Sequence, residues 1–551
     1  MDKNFVLALA AALLVFFAYN TYQIEKYKKQ RTAEIERQYA VVPNTAQETE
    51  EQKPLVSLKS QKNGVEKLHT IDTKHAKIVF TNKGAAIKDF IYKDFNTDLN
   101  LTPFGNEGYF ATLSDVYFEQ VTPENGDDVA FQTQVADGVT LIKSYKINKE
   151  QGLSKVNITF KNETTQDLTL SDFYVNMGPG LNTVKSELSE NSANLRAYCS
   201  IQEKGKKHVT VNKLKSNIVD SPSKLKNYCN DWLWTGIDNR YFLTALIPTN
   251  WKGSSDGFTL SKQFLYETPS FFGLFGNSRT DGPQLKILVP AQLKSNGTTT
   301  FSSEFYIGPK DLKVLEKLPY DLQRSIQFGF FGQLGKWMRN LLEWLNKYTK
   351  NYGFAIILMT FMIQLVMLPI TYKQLKSSAI MQKMQPEINA IQKRYKNKPS
   401  DPQQAQQQQM KAQMEMMALY KKYGTNPLSG CLPIFIQMPI FFALFNALRT
   451  SWALHGSPFI FWITDLSAKD PYYVLPISMG ILMFVQQRIT MPNIAKDNPN
   501  MAAMKWMPIF FTVLFLNFPA GLTLYWFISN CISFVVNLIL KRKLANVGLN
   551  K

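Results

Sequence analysis

The sequence predicts a multi-domain membrane protein in which an all-β domain precedes an α-helical transmembrane core. Short alternating strand patterns fill residues 55–309, whereas long apolar segments dominate the chain after residue 353. A bilayer core of about 30 Å needs about 20 apolar residues per helix, so these segments are candidate spans. We predict five core spans, at about 353–372, 430–448, 472–487, 506–518 and 519–540.

The N-terminal segment predicts one more membrane helix. Residues 5–22 are apolar after a short charged start, and bulky Phe16 and Phe17 stand where a signal peptide needs small residues before its cleavage site. We therefore predict an uncleaved anchor at 1–24. The following residues, 25–54, are rich in charged residues, Gln, Thr and Pro, which is typical of a mostly disordered linker.

Residues 55–327 predict a large β-sandwich that ends in short helices. Polar and apolar residues alternate in segments such as 155–160, and turn clusters such as 295–297 separate the segments. Cys199 and Cys229 could pair if this domain lies outside the cytosol, but spacing alone leaves their pairing open. Because spacing fixes no nucleophile or carboxylate pair, a folding or docking domain is favoured over a sugar-active enzyme.

Residues 328–352 predict an amphipathic helix. Trp337, Trp344 and Tyr348 repeat at helical spacing with Leu residues between them, and Arg339 and Lys347 are expected on the opposite face. Such a helix suits the lipid headgroup layer just before the first core span. The alternative is a soluble helix that covers the β-domain.

Residues 373–425, between the first two core spans, predict a helical hairpin. One apolar stripe includes Met384, Ile388 and Ile391, and a second consists of methionines. Flexible thioethers suit a surface that accepts varied apolar partners, although the stripes could also be the seam of the hairpin itself. The candidate hairpin residues are Met384, Ile388, Ile391, Met410, Met414 and Met417.

Charge predicts the orientation of the chain in the membrane. The net charge is +19, and residues 372–551 contain 19 Lys and Arg against 6 Asp and Glu. The hairpin, the 488–505 loop and the tail are basic, so we expect them and both termini in the cytoplasm, with the β-domain outside. The basic residues at 26–31 conflict locally with this orientation. RNA contact is a second interpretation of the charge, but we predict no direct nucleic-acid partner.

The predicted core spans are interrupted by neutral polar residues. These side chains either make a wet path into the bilayer or link helices by hydrogen bonds. A solute transporter would usually carry ionisable groups there, and a pure scaffold would need no such polarity. No phosphate-binding loop and no Cys/His metal spacing occurs, so ATP hydrolysis and metal chemistry are not expected. The interrupting residues are Gln364, Gln437, Asn446, Ser478, Asn517, Ser529 and Asn530.

Three segments closely resemble signatures of the bacterial YidC membrane protein insertases of Gram-negative type, at 426–441, 465–473 and 518–526. The resemblance implies five transmembrane helices around a hydrophilic groove that is open to the cytoplasm and to lipid. It also implies a periplasmic β-supersandwich domain and a cytoplasmic hairpin needed for activity. The implied function is ATP-independent insertion and folding of inner-membrane proteins, without enzymatic activity or a cofactor.

The resemblance also implies partners. These are nascent membrane proteins, the lipid bilayer and the Sec translocon (SecYEG and SecDF). A translating ribosome is a further candidate, although the tail after Leu540 has only 11 residues.

One departure from the family pattern stands out, because Gln364 occupies the position where the groove usually has an arginine. We therefore expect the groove to act through hydration and hydrogen bonding, with weaker capture of acidic client tails. Thr360 and the 525–526 region are implied to face incoming chains. The candidate groove residues are Thr360, Gln364, Gln437, Asn517, Tyr525, Trp526 and Asn530.

Overall fold

The computed structural model divides the chain into two compact units. Among the described residues, one unit comprises those within 55–326 together with Arg449–Ala453, and the other comprises those within 331–448 and 454–547. The predicted anchor (1–24) and linker (25–54) lie outside the described residues. The structure describes residues 55–56, 64–93, 99–102, 107–121, 128–170, 173–184, 187–188, 191–203, 209–214, 229, 231–253, 258–269, 277–289, 292–326, 331–395, 402–424, 432–490 and 506–547.

The first unit is built almost entirely of strands, as predicted. Its short helix α1 is Asn191–Asn194, and helix α2, Leu312–Leu315, precedes a 3-10 turn at Leu322–Ser325. The strands are β1 (Leu55–Val56), β2 (Leu68–Asp72), β3 (Ala76–Thr81), β4 (Ala86–Tyr92), β5 (Leu99–Asn100), β6 (Glu119–Val121), β7 (Asp128–Ala136), β8 (Val139–Lys146), β9 (Ser154–Asn162), β10 (Leu168–Leu170), β11 (Tyr174–Pro179), β12 (Arg196–Ile201), β13 (Thr210–Leu214), β14 (Trp232–Asp238), β15 (Phe242–Pro248), β16 (Phe258–Pro269), β17 (Asn277–Leu288), β18 (Gln292–Leu293) and β19 (Gly297–Pro309).

These strands form four sheets that share one large apolar core, and a second buried cluster lies between the nine-stranded sheet and α2. The largest is a nine-stranded antiparallel sheet in the order β13-β12-β14-β15-β19-β9-β8-β7-β6. A four-stranded sheet (β2-β3-β4-β5) and two three-stranded sheets (β1-β10-β18 and β11-β17-β16) complete the unit. Strand β9 alternates buried and more exposed residues, which is the period that the sequence showed at 155–160. Side chains from all four sheets join the same buried cluster, so the layered β architecture is confirmed.

One disulfide and one distant aromatic side chain complete this unit. Cys199 and Cys229 form a disulfide with their Cα atoms 5.9 Å apart, which answers the question that sequence spacing left open. Trp452 lies far along the chain, yet it belongs to this core, with its ring 4.7 Å from that of Phe242 and 5.6 Å from that of Tyr241. Sequence reasoning did not separate residues 449–453 from the helices around them.

The second unit is helical. Its helices are α3 (Gly332–Thr349), α4 (Tyr352–Arg394), α5 (Pro402–Lys422), α6 (Leu432–Arg449), α7 (Val474–Thr490), α8 (Met507–Phe515) and α9 (Ala520–Val547). Asn351 caps α4, because its side-chain oxygen accepts a hydrogen bond of 2.8 Å from the amide of Gly353. The helix has 43 residues, about 65 Å at 1.5 Å per residue, so the first span continues directly into the hairpin.

The helices expose apolar side chains, as a bilayer requires. Within the described residues, two stretches are long and apolar enough to cross a membrane, Tyr352–Lys373 and Ala520–Ile539, and only 33% and 22% of them is buried. Val474–Ile489 is a shorter apolar helix. Large exposed apolar side chains also occur on α7 and α8, for example Ile481 and Phe510. A surface of this kind is typical of lipid contact and not of a water-facing protein.

Helix α3 buries one face and exposes the aromatic residues that the sequence assigned to the headgroup layer. Met338, Leu342 and Leu345 are buried, whereas Trp337, Trp344 and Tyr348 remain exposed. The prediction that Arg339 lies on an exposed polar face is wrong, since its side chain is buried. Its guanidinium lies 3.3 Å from the carboxylate of Glu343, one turn later on the same helix, and this ion pair compensates the buried charge.

Candidate functional site

The polar side chains of α4 lie one helical turn apart. Thr360 is fully buried, and its hydroxyl donates to the carbonyl of Ile356 at 2.7 Å within the same helix. Gln364 reaches across to α9, where its side-chain amide donates to the hydroxyl of Ser529. The structure therefore brings these two predicted groove positions together on one helix face, and it uses the Gln364 amide as a link between helices.

A second link joins α6 to α9. The side-chain amide of Gln437 donates to the hydroxyl of Tyr525 at 2.9 Å, and the Tyr525 side chain is fully buried. Interhelical hydrogen bonds in membranes contribute about 0.6 kcal/mol on average. These two links make α9 the common partner of α4 and α6. They also show that part of the predicted groove polarity holds helices together.

Two further polar groups of α9 have no such link. The indole nitrogen of Trp526 and the side-chain nitrogen of Asn530 are buried, and neither has a hydrogen-bond partner among the described residues. The Trp526 ring packs against aromatic rings of other segments, with centroid distances of 5.2 Å to Phe441, 5.3 Å to Phe515 and 6.0 Å to Phe511. The two groups lie four residues apart, so they project from the same face of α9.

Asn517 does not join this cluster. It is exposed in the turn that connects α8 to α9. The backbone at the end of that turn is tied to another segment, because the amide of Ala520 donates to the carbonyl of Ala468 at 2.7 Å. Ser529, the partner of Gln364, lies nine residues after the start of α9, about 14 Å further along its axis. Asn517 therefore lies near one end of the helices, apart from the other groove candidates.

Sequence reasoning missed the side chains that organise the loop between α6 and α7. Asp465 accepts hydrogen bonds from the backbone amide and the hydroxyl of Ser467 (2.8 and 2.7 Å), and the imidazole of His455 lies 3.4 Å from its carboxylate. Asp470 accepts from the indole of Trp462 at 3.0 Å and from the amide of Leu475 at 2.8 Å. An Asp placed two residues before a Ser, or just before a helix, is the sequence signal that could have found them.

The hairpin residues divide into two groups. Met384 and Ile388 are buried against Leu419 of α5, and Ile391 is partly buried beside them. This first stripe is therefore the seam of the hairpin. In contrast, Met410, Met414 and Met417 on α5 are 54%, 63% and 60% exposed. The methionine stripe thus forms an exposed apolar face on the hairpin.

Comparisons with known proteins connect both units to one family. Residues 68–344 match the family model described as YidC periplasmic domain, and residues 344–547 match the model described as 60Kd inner membrane protein. A membrane protein insertase YidC from Endomicrobium trichonymphae is 34% identical over 482 residues, which cover 86% of this chain and 85% of the relative. This chain belongs to the YidC membrane protein insertase family. It is therefore a protein of the bacterial inner membrane.

Two other relatives support this membership. YidC insertases from Citrifermentans bemidjiense and Syntrophus aciditrophicus are 31% and 30% identical, over 87% and 97% of this chain and 86% and 98% of the relatives. A crystal structure of an active YidC insertase with its first transmembrane domain resolved is 19% identical, covers 88% of this chain and 94% of that chain, and has a TM-score of 0.36. The family consists of insertases and not of enzymes, so the sugar-active alternative is excluded.

Proposed function

We propose that this chain inserts nascent proteins into the inner membrane, and helps them fold, along a surface formed by α4, α6 and α9. The observation that carries the proposal is the position of its polar groups. Thr360, Gln364, Tyr525, Trp526 and Asn530 lie on helices whose outward-facing side chains are apolar. A membrane unit that is polar inside and apolar outside offers a hydrated start for a client segment and an open route to lipid.

Partitioning supplies the driving force without ATP. A client segment of about 20 apolar residues gains roughly 6–12 kcal/mol on entering lipid, at 0.3–0.6 kcal/mol per strongly apolar residue. Each charge carried through the centre of the bilayer costs about 2.5–3.5 kcal/mol. The gain from partitioning therefore exceeds the cost of translocating a tail with two or three charges, but not the cost of translocating a long charged loop. Polar groups part-way across the membrane lower the barrier for the tail.

The short helix α8 supports a thinner bilayer at this site. Its nine residues extend only about 14 Å, less than half of the 30 Å hydrocarbon core. A span this short requires the lipid around it to thin or the neighbouring residues to reach to the interface. A thinner bilayer beside the polar surface would shorten the path of a client tail.

The orientation predicted from charge forms part of the proposal. The basic hairpin lies in the cytoplasm, where clients arrive, and the β unit lies in the periplasm. The Cys199–Cys229 disulfide supports the periplasmic side, because disulfides persist in oxidising compartments. Helix α3 lies in the headgroup layer. Its exposed Trp344 and Tyr348 rings, 5.0 Å apart, are the aromatic type that prefers that layer.

We further propose two contacts with other proteins. The periplasmic β unit contacts the Sec translocon, and the exposed methionine stripe of α5 contacts client segments before they enter the membrane. The support for the second contact is that Met410, Met414 and Met417 remain outside the hairpin seam. A translating ribosome is a third candidate partner, through the basic cytoplasmic segments.

Insertion into vesicles tests the proposed function. The full chain is reconstituted into vesicles of bacterial lipids, and a one-span client is added during its synthesis. We expect protease-protected client only in vesicles that contain the protein, with a loss of about tenfold when Thr360→Leu and Gln364→Leu are combined. The matched control is Thr371→Val, because the Thr371 hydroxyl already donates to Met367 of its own helix at 3.1 Å. Equal protection in empty vesicles contradicts the proposal.

A further inference from the structure

Two hydrogen-bond donors on α9 are buried and unused. The Trp526 indole nitrogen and the Asn530 side-chain nitrogen have no hydrogen-bond partner among the described residues, and they lie one helical turn apart. By contrast, the amide nitrogens of Gln364 and Gln437 donate to Ser529 and Tyr525. An unsatisfied buried donor costs about 1–3 kcal/mol. A pair of them on one face of a helix points to a ligand that satisfies both.

The surroundings of the indole favour a client over water as that ligand. A buried water needs two to four polar partners. The Trp526 ring is instead packed against Phe441, Phe511 and Phe515, none of which can bond to water. An oxygen on a client chain is held in place by the backbone of the client, so it needs no polar partner other than the indole N–H. The indole N–H is purely a donor, which means that its partner must be an acceptor.

The charge of the site favours a neutral acceptor. The part of α9 that carries Trp526 and Asn530 has no Lys or Arg before residue 541, and the α4 side chain that bonds to the adjacent Ser529 is the neutral Gln364. A carboxylate placed beside the Phe cluster would be desolvated without a counter-charge, which costs several kcal/mol. A carbonyl, hydroxyl or amide oxygen avoids that cost. Client segments expose such oxygens in two ways. The last four carbonyls of a helix are unpaired, and a segment that is not yet fully helical leaves further carbonyls unpaired.

We propose that Trp526 and Asn530 form a donor pair that binds neutral hydrogen-bond acceptors of the client. These are backbone carbonyls at the end of an incoming helix and the side-chain oxygens of Asn, Gln, Ser and Thr. The inference rests on the proposed insertion function and names the client chemistry that this surface selects. Both residues are then specificity-determining, because they bind more tightly to client segments that expose an oxygen during insertion.

A matched client series tests the donor pair. Four one-span clients carry Asn, Leu, Asp or Lys at one mid-span position next to a photo-crosslinking residue. Two further clients carry Thr or Val at the same position. With the unaltered full chain in vesicles, we expect crosslinking to α9 to be about three- to tenfold higher for Asn than for Leu, and higher for Thr than for Val, as one added hydrogen bond predicts. Asp and Lys clients should fall at or below the Leu level.

Three single variants, one double variant and one control complete the experiment. Trp526→Phe keeps the aromatic packing and removes the N–H, and Asn530→Leu removes the amide; each should reduce the Asn preference, and the double variant should abolish it. Asn530→Asp replaces the donor with an acceptor and should shift preference towards Lys. Thr512→Val is the matched control, since the Thr512 hydroxyl donates within its own helix to Pro508 at 2.8 Å.

The outcomes distinguish failure of the donor pair from failure of the insertion function. If the unaltered protein inserts the Leu client but shows no preference for Asn or Thr, the donor pair is wrong and the insertion function stands. An unchanged Asn preference in the double variant likewise overturns the donor pair. If no client is inserted above empty vesicles, the proposed function itself fails. Should Trp526→Phe not fold, Asn530→Leu and Asn530→Asp alone decide the result.

Discussion

The side-chain amide of Gln364 donates to the hydroxyl of Ser529 and thereby links α4 to α9. The resemblance to the family implies an arginine at the Gln364 position. On that expectation, the glutamine provides a neutral link between two helices in place of a fixed positive charge. This relationship divides the groove candidates into groups that hold the helices together and groups that remain available to a client.

Restoring the charge should change which clients are captured. In Gln364→Arg, we expect insertion of a one-span client with two tail acids to rise roughly fivefold relative to the same client without acids, as an ion pair of about 1 kcal/mol predicts. The measurement is protease protection in vesicles for both clients. Ser529→Ala is the control, because it breaks the same link without adding charge. If the ratio of insertion with and without tail acids is the same in the unaltered protein and in the Gln364→Arg variant, the prediction is wrong.

The two hairpin stripes should respond differently to substitution. Met384 is fully buried in the hairpin seam, so Met384→Ala should destabilise the hairpin by about 2–5 kcal/mol and expose it to limited proteolysis. A triple Met410→Ser, Met414→Ser and Met417→Ser variant should keep protease resistance and lose client crosslinking several-fold. Stability loss in the triple variant, with Met384→Ala unaffected, would reverse the assignment of seam and surface.

The buried Lys143 should make stability of the β unit depend on pH. Its ammonium group is fully buried and donates to the carbonyl of Phe110, and burial holds the pKa of Lys143 well below its usual range. The unfolded chain binds this proton more readily than the folded chain. The contribution of Lys143 to stability therefore rises with pH between its folded pKa and its unfolded value, and is constant below that window.

The matching measurement compares Lys143→Met with the unaltered protein. The variant lacks this titration, so its stability advantage over the unaltered protein should shrink as pH rises through the window. Thermal unfolding at a series of pH values, followed by tryptophan fluorescence, gives the difference directly. Exposed Lys155→Met serves as the control. A stability difference that is independent of pH contradicts the burial of this ammonium group.

The disulfide should contribute strongly to the β unit. Cys199 and Cys229 are 30 residues apart, and a loop of this length stabilises the folded state by about 3–4 kcal/mol in the chain-entropy estimate. A Cys199→Ala and Cys229→Ala variant should therefore unfold at lower temperature, by several degrees, and lose its dependence on reducing agents. Cys531→Ala, which removes a free thiol, should leave the unfolding temperature unchanged. A double variant as stable as the unaltered chain would show that the bond is dispensable.

The fold class followed from the sequence because hydrophobic length and two-residue alternation are local signals. The 155–160 alternation became β9, and the 353–372 segment became the first part of α4. The strand order of the nine-stranded sheet could not be predicted, since pairings such as β9 with β19 join segments about 140 residues apart. Such pairing depends on the whole core and leaves no local pattern.

The sequence named candidate residues for the site but not their hydrogen-bond partners. The polar interruptions of the spans and the family resemblance named Thr360 and Gln364 as groove candidates. They could not show that Gln364 bonds to Ser529 while Trp526 and Asn530 have no described partner. Helical spacing also could not distinguish the buried face of α3, because Arg339 and Met338 are adjacent on the helix and both are buried. The i,i+4 ion pair with Glu343 accounts for the buried arginine, whereas the burial itself comes from packing that the sequence does not show.

Crosslinking from single positions to a stalled client tests the central claim most directly. Photo-crosslinkers at positions 364, 526 and 530 probe the polar surface of α4 and α9, and position 366 is the control because Val366 is 75% exposed on the apolar face of α4. We expect strong client crosslinks from 364, 526 and 530, and mainly lipid crosslinks from 366. Equal client crosslinking from position 366, or none from 526 and 530, would contradict it.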